Sequence, residues 1–201
     1  MTEYKKIFYG MVKVSLVDFP GIVCSTLFTA GCNFDCLWCH NRELVEPEKI
    51  KQLSPIDPEE IFSYLLKRKN KIQGVCITGG EPTLHYKDLI SYFKWLKKNG
   101  FLVKLDTNGY NPEILEYFIK ENLVDFIAMD IKNTFEKYAD TVNKDIDLER
   151  IKKSILLIKN SKIQYEFRNT PVYGLVDKTE IVNFAKNLGI NIRFNIYNMS
   201  N

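Results

Sequence analysis

Nowhere in this 201-residue chain do 18 uncharged apolar residues run together, so no membrane-spanning helix is expected. Residues 1–20 hold no apolar segment of the signal-peptide kind, which argues against export and for a cytoplasmic protein. Charge of one sign is also scarce: the formal net charge of +3 is too small to suggest a nucleic-acid or membrane partner. No repeat, low-complexity tract or linker interrupts the chain, which reads as a single domain over residues 1–201. With 45% hydrophobic and 26% charged residues it has the composition of an ordinary globular protein. A chain of this length can bury roughly 70% of the surface its unfolded form exposes.

Cysteine is sparse and unevenly placed. Five cysteines without a secretion signal do not suggest a disulfide framework. Cys24 and Cys76 lie alone in apolar runs and read as small buried hydrophobes. The other three fall together in Gly31-Cys32-Asn33-Phe34-Asp35-Cys36-Leu37-Trp38-Cys39-His40-Asn41. This Cys-x3-Cys-x2-Cys spacing can place three thiolates around one metal cluster, and no fourth cysteine lies nearby to complete the shell. A four-iron cluster on three thiolates keeps one iron open to a substrate. Two alternatives stand beside it. Zinc would need His40 as a fourth ligand, and adjacent Cys39 and His40 rarely converge on one ion. A cluster used only for electron transfer normally takes four cysteines.

Strand-like runs at Ile22–Ala30, Gly74–Thr78, Phe101–Thr107, Val124–Lys132, Ile163–Thr170 and Asn191–Tyr197 alternate with helical patterns. The helices are expected near Pro58–Lys69, Lys87–Asn99, Pro112–Glu121, Asp147–Asn160 and Thr179–Leu188. Asp57 and Asn111 stand as capping residues before prolines suited to a first helical position. Gly100 and Gly189 follow helices where a left-handed residue would end them. Ile7–Leu16 reads as an additional extended segment, followed by a turn at Val17-Asp18-Phe19-Pro20-Gly21.

Alternating strands and helices imply right-handed βαβ units and a parallel sheet. A flat sheet covered by helices on both sides should be apolar on both faces. Here one face is not. Lys104, Asp106 and Asn108 share a face, as do Asp130 and Lys132, then Glu166, Arg168 and Thr170, then Arg193 and Asn195. The opposite faces carry Val103 and Leu105, Met129 and Ile131, Tyr165 and Phe167, or Ile192, Phe194 and Ile196. The pattern fits an α/β fold in which six strands curl into a partial (β/α)6 barrel around a polar cavity. The cysteine loop follows the first parallel strand, at the edge where active sites of such sheets gather.

The cysteine loop resembles the signature of the radical S-adenosylmethionine enzymes, and later motifs follow in that family's order across nearly the whole chain. The resemblance implies a 4Fe–4S cluster on Cys32, Cys36 and Cys39 whose fourth iron binds the amino and carboxylate groups of S-adenosylmethionine. One electron then splits the sulfur–C5′ bond to give a 5′-deoxyadenosyl radical. Ile77-Thr78-Gly79-Gly80-Glu81-Pro82 is similar to the segment that receives the methionyl amino group; alone, it is also a plausible βα turn. Asp106-Thr107-Asn108-Gly109 and Met129-Asp130-Ile131-Lys132 would sit on the same rim. An ordinary strand-end ion pair is the plain account of them. The resemblance implies instead that Lys132 neutralises the methionyl carboxylate, with Asp106 and Asp130 organising the region around a monovalent cation.

Cys39-His40-Asn41-Arg42 and Asp18-Phe19-Pro20-Gly21 resemble the activating enzymes of glycyl-radical enzymes. The best match is the activating protein of anaerobic ribonucleoside-triphosphate reductase, and the pyruvate formate-lyase type is a close second. In that group Trp38, through its backbone, and His40 would lie near the adenine, while Asp18 and Arg168 would help seat the target loop. His40 could equally be a capping or second hydrogen-bonding residue, and His85 reads as a surface residue. No histidine follows His85, so the late histidine of longer relatives is absent or replaced by Asn195 or Tyr197. No further cysteine-rich insert is present, so one cluster is expected. The implied partners are a glycyl-radical enzyme as substrate and a flavodoxin or ferredoxin as electron donor. A small-molecule enzyme such as a 7-carboxy-7-deazaguanine synthase is the alternative inside the superfamily, and a zinc or electron-carrying module the one outside it.

Overall fold

One-sided polarity along the strands requires a sheet with a dry face and a wet one, and the computed structural model, which describes residues 4–196, has this arrangement. Seven strands stand in chain order: β1 (Phe8–Ser15), β2 (Cys24–Thr29), β3 (Gly74–Gly79), β4 (Leu102–Thr107), β5 (Phe126–Asp130), β6 (Gln164–Asn169) and β7 (Ile192–Phe194). From β2 onward every neighbouring pair is parallel, whereas β1 runs antiparallel to β2. The additional segment before the first parallel strand is therefore an edge strand. β1 and β7 are the two ends of the sheet, so the barrel is open.

The crossovers are helical. Those that span most of their connection are α2 (Pro58–Lys67), α3 (Tyr86–Lys98), α4 (Pro112–Lys120), α6 (Leu148–Asn160) and α7 (Lys178–Leu188). Two short helices escaped the sequence pattern, α1 (Pro47–Ile50) and α5 (Tyr138–Val142), because one or two turns are too brief to show a period. Asp57 caps α2 by accepting from the Glu59 backbone N–H. Asn111 does not cap α4; its amide donates to Thr83 Oγ1 at 2.7 Å and ties two loops of the rim together. Gly189 ends α7 in a left-handed conformation with φ 60°.

The dry face carries the main core. Val103, Leu105, Met129, Ile131 and Phe167 are buried there against the helices, together with Ile77, Ile127, Phe93 and Phe118. Tyr165 and Ile196, expected on the same side, are exposed, because they lie toward the ends of the last two strands. The wet face has its own small plug at the N-terminal end of the strands: Phe19 packs on Phe126 beside Cys24, Cys76 and Ala128. Both isolated cysteines are free and buried, as their apolar surroundings suggest. No helix among the described residues is long and apolar enough to cross a membrane.

Phe93 on α3 meets Phe118 on α4 edge-to-face with centroids 5.1 Å apart, and both are fully buried. Phe93→Ala is expected to cost about 3–5 kcal/mol by opening a cavity between the two helices. Urea unfolding of the metal-free chain reads this directly, and a loss below about 1 kcal/mol would show that the site collapses without penalty.

Candidate active site

The cysteine loop leaves the C-terminal end of β2 and is fastened on several sides. The Gly31 backbone N–H donates to Leu44 carbonyl at 2.7 Å, and the Asp35 N–H to Val142 carbonyl at 2.9 Å. Arg42 reaches back to Asp35 at 2.5 Å and across to Glu46 at 2.8 Å. His85, half-buried rather than on the surface, hydrogen-bonds through Nε2 to the Ala30 carbonyl at 2.7 Å, at the root of the loop. Trp38 buries its indole among Val172, Val176, Ile181 and Phe194. Its side chain is thus an anchor, and the residue also borders the cavity.

The end of β3 meets this loop at very short range. Gly80 and Glu81 donate their backbone N–H groups to Thr29 carbonyl at 2.9 Å and Gly31 carbonyl at 2.7 Å. A Cβ on Gly79 would lie 2.2 Å from Thr29 O, and one on Gly80 would lie 2.0 Å from Gly31 O. Gly79 also has φ +123°, where side chains are strained. The glycine pair therefore serves a close approach of two protein segments, before any ligand is considered.

Glu81 is 1% exposed and ties the second rim to the third. Its Oε1 accepts from Thr83 N at 3.1 Å, Thr83 Oγ1 at 2.5 Å and Thr107 Oγ1 at 2.8 Å, and its Oε2 from Asn108 N at 2.7 Å. Burial raises its carboxyl above the usual range, opposed by those hydrogen bonds. This carboxylate is consumed in holding the strand ends together, so what the segment presents toward a ligand's ammonium is chiefly backbone. Asn108 completes the frame, its amide donating to Asn33 Oδ1 at 2.7 Å on the cysteine loop.

A cavity of about 250 Å³ opens above these contacts, just under the range of about 300–1,000 Å³ common for small-molecule sites. Cys32, Cys36 and Cys39 line it, with Trp38 and His40. Gly79, Gly80, Glu81, Thr107 and Asn108 border it too, and Asp106, Asp130, Lys132 and Arg168 give it a charged wall. Asn195 also lines it, whereas Tyr197 falls outside the described residues. Asp18 does not border this cavity; it accepts from Thr26 Oγ1 at 2.6 Å, and its backbone N–H donates to Ser15 Oγ at 3.2 Å. Sequence reasoning overlooked Asn33, Thr78 and Val45, which lack any distinguishing chemistry.

The wall is a chain of charges. Lys132 Nζ donates to Asp130 Oδ2 at 3.0 Å, and Arg168 bridges Asp130 Oδ1 at 2.9 Å and Asp106 Oδ2 at 3.0 Å. Lys104, 1% exposed, pairs with the remaining Asp106 oxygen. Burial alone would raise the Asp130 carboxyl, but Arg168 and Lys132 hold it well below the usual range. Burial likewise disfavours the Lys132 cation, and Asp130 outweighs that to keep it charged.

Among the described residues no three His, Cys, Asp or Glu side chains gather closely enough to hold a metal ion. The three thiols share the cavity without closing on a point. Thiolates bound to separate irons of a cluster need no common centre, unlike the ligands of a single zinc ion. Burial pushes the Cys32 thiol up to about 12 and raises Cys36 as well, Lys132 countering at Cys36. Ligation there has to displace protons.

Comparison with known proteins places these features in context. The family model described as "Radical SAM superfamily" matches residues 26–191. A putative glycyl-radical enzyme activating enzyme of Methanocaldococcus jannaschii is 35% identical over 189 residues, covering 90% of this chain and 75% of that protein. The pyruvate formate-lyase 1-activating enzyme of Escherichia coli K12 is 34% identical over 121 residues, 58% of this chain and 48% of its own length. The crystal structure of QueE from Escherichia coli superposes with a TM-score of 0.56 at 15% identity, covering 94% and 93% of the two chains.

Gly80→Ala is expected to cost about 1–3 kcal/mol and to lower iron uptake, since the new Cβ collides with backbone of the cysteine loop. Unchanged melting and unchanged iron content would contradict the close approach. Asp130 carries the opposite sign of evidence. A carboxyl lowered by folding contributes stability above its unfolded value of about 4 and loses it as pH falls through the folded value. The gap in melting midpoint between wild type and Asp130→Asn should therefore shrink from pH 6 toward about pH 3; a constant gap would remove the pairing from the account.

Proposed function

This chain belongs to the radical SAM superfamily, and we propose that it generates a glycyl radical on a partner enzyme, with anaerobic ribonucleoside-triphosphate reductase the foremost candidate. The observation that carries the reading is one cavity lined by three thiols and by the Asp130–Lys132 pair. The 35% identity to a putative activating enzyme, over 90% of this chain and 75% of that protein, and the Asp18-Phe19-Pro20-Gly21 and Cys39-His40-Asn41 wording support the choice within the superfamily.

Cys32, Cys36 and Cys39 would hold the 4Fe–4S cluster, one iron lacking a protein ligand. When bound, such a cluster would supply the single electron for reductive cleavage of S-adenosylmethionine to methionine and the radical that takes a glycine Cα hydrogen. The protein's own work is positional. Lys132 supplies positive charge for the methionyl carboxylate, and the backbone of Gly79 and Gly80 offers acceptors to the ammonium. The Trp38 backbone and His40 border the place of the adenine. Thr107 and Asn108 hold the glycine segment through Glu81. β1 and β7 are the two ends of the described sheet, and the open side between them is the proposed entry for a polypeptide loop. Asp18, which accepts from Thr26 Oγ1 on β2, is a residue proposed to help seat that loop. A flavodoxin or ferredoxin in the cytoplasm is the proposed donor.

The test is anaerobic incubation of the reconstituted protein with S-adenosylmethionine, a reductant and each candidate glycyl-radical enzyme. A doublet in the electron paramagnetic resonance spectrum of the partner is expected. Turnover of a small molecule with no protein radical would overturn the assignment in favour of a 7-carboxy-7-deazaguanine synthase type of activity. Cys36→Ala should bring S-adenosylmethionine cleavage down to background while the melting midpoint of the metal-free chain stays within a few degrees of wild type; retained cleavage would contradict the ligand set.

A further inference from the structure

Asp106 and Asp130 are the acids around which the family resemblance implies a monovalent cation, yet each of their four oxygens already meets a cation of the protein. Asp106 gives one oxygen to Lys104 and the other to Arg168 Nη1 at 3.0 Å. Asp130 gives one to Arg168 Nε at 2.9 Å and the other to Lys132 Nζ at 3.0 Å. Across β4, β6 and β5 the charges run Lys104, Asp106, Arg168, Asp130, Lys132, alternating in sign. We infer that this site takes no monovalent cation, because the Arg168 guanidinium stands between the two carboxylates and supplies the positive charge there.

Chemistry and geometry agree on this. A hard cation binds by gathering several oxygens to itself, and two carboxylates are the strongest donors this wall has. Here every one of their oxygens already accepts from a cationic side chain of the protein, and Arg168 stands between the two groups. Guanidinium is the side chain best shaped for the task, since its planar fork can serve two carboxylates at once and it stays charged when buried. Arg168 and Asp106 have side chains only 15% and 13% exposed, so water does little to loosen the bridge.

Exposure points to where an external anion can enter. Glu166 stands beside the hydrogen-bonded chain of charges, 3.9 Å from Arg168 and 3.2 Å from Arg193. Lys104 is sealed at 1% exposure, whereas Lys132 is 23% exposed and borders the cavity. Lys132 is thus the most open cation of that chain of charges, where the proposed function seats the methionyl carboxylate. Arg168 is on this reading a positioning residue for the acids that steady Lys132, in place of the target-loop role implied by resemblance. The ligand named here rests on the proposed function; the state of the acids does not.

The experiment compares potassium, sodium and choline chloride at equal ionic strength. For the reconstituted protein, the affinity for S-adenosylmethionine by equilibrium dialysis should agree among the three within about twofold. The melting midpoint of the metal-free chain should agree as well. A several-fold weaker affinity, or a lower midpoint, in choline would overturn the inference. Arg168→Gln should create the missing requirement: affinity on the order of fivefold weaker in choline than in potassium, and a midpoint raised by potassium. A folded Arg168→Gln protein indifferent to the cation would also overturn it, since nothing would then need the charge Arg168 supplies. Should the variant fail to fold, the two wild-type measurements decide alone. Absence of S-adenosylmethionine binding in every salt would defeat the proposed function, while the melting comparison would still test the occupancy of the acids.

Discussion

Where β3 ends, its glycine pair lies so close to the backbone after β2 that neither glycine can carry a side chain, and the geometry of the site follows from that contact. Gly79 and Gly80 lie against Thr29 and Gly31, so the cysteine loop has a fixed height and angle over the sheet. Glu81 then carries the constraint sideways, binding the turn after β3 to Thr107 and Asn108 at the end of β4. Asn108 returns it to the loop through Asn33. A closed circuit of hydrogen bonds thus sets where three thiols stand relative to the charged wall. Glu81, Thr107 and Asn108 are buried, so losing one of their bonds would leave an unsatisfied group and cost about 1–3 kcal/mol.

The wall obeys a different physical rule. Burying charges is costly unless each is paired, and here each paired charge has a partner of opposite sign at hydrogen-bond distance. The strand pattern makes this possible: residues two apart on β4 and β5 point into the same space, and Arg168 on β6 arrives from the neighbouring strand at the level of Asp130. Parallel register therefore converts an alternation in sequence into a line of charges across three strands. That line borders the cavity that the thiols also line. Chemistry and electrostatics meet in one space because the sheet curls.

Much of this was legible in the residues. The Cys-x3-Cys-x2-Cys spacing is dictated by local chain geometry, so it could be read without the fold. The polar face was legible because side chains alternate along a strand, and Lys104, Asp106, Asp130 and Arg168 fall on it as the alternation requires. What stayed hidden were contacts set by tertiary approach. Gly79 and Gly80 read equally well as a ligand-facing turn, and only the position of Gly31 shows that they accommodate protein. Glu81 read as an acceptor for an ammonium, whereas its oxygens accept from Thr83, Thr107 and Asn108. Asn111 read as a helix cap and His85 as a surface residue, because the partners that recruit them, Thr83 and the Ala30 carbonyl, come close only in the folded sheet.

The central claim is that three thiols hold a cluster with one iron free for S-adenosylmethionine. It is tested most directly by the electron paramagnetic resonance spectrum of the reconstituted, reduced protein before and after that molecule is added. The account predicts about four irons and four sulfides per chain, with a cluster signal whose g-values shift on addition. A cluster signal indifferent to S-adenosylmethionine, or a stoichiometric zinc in place of iron, would contradict it.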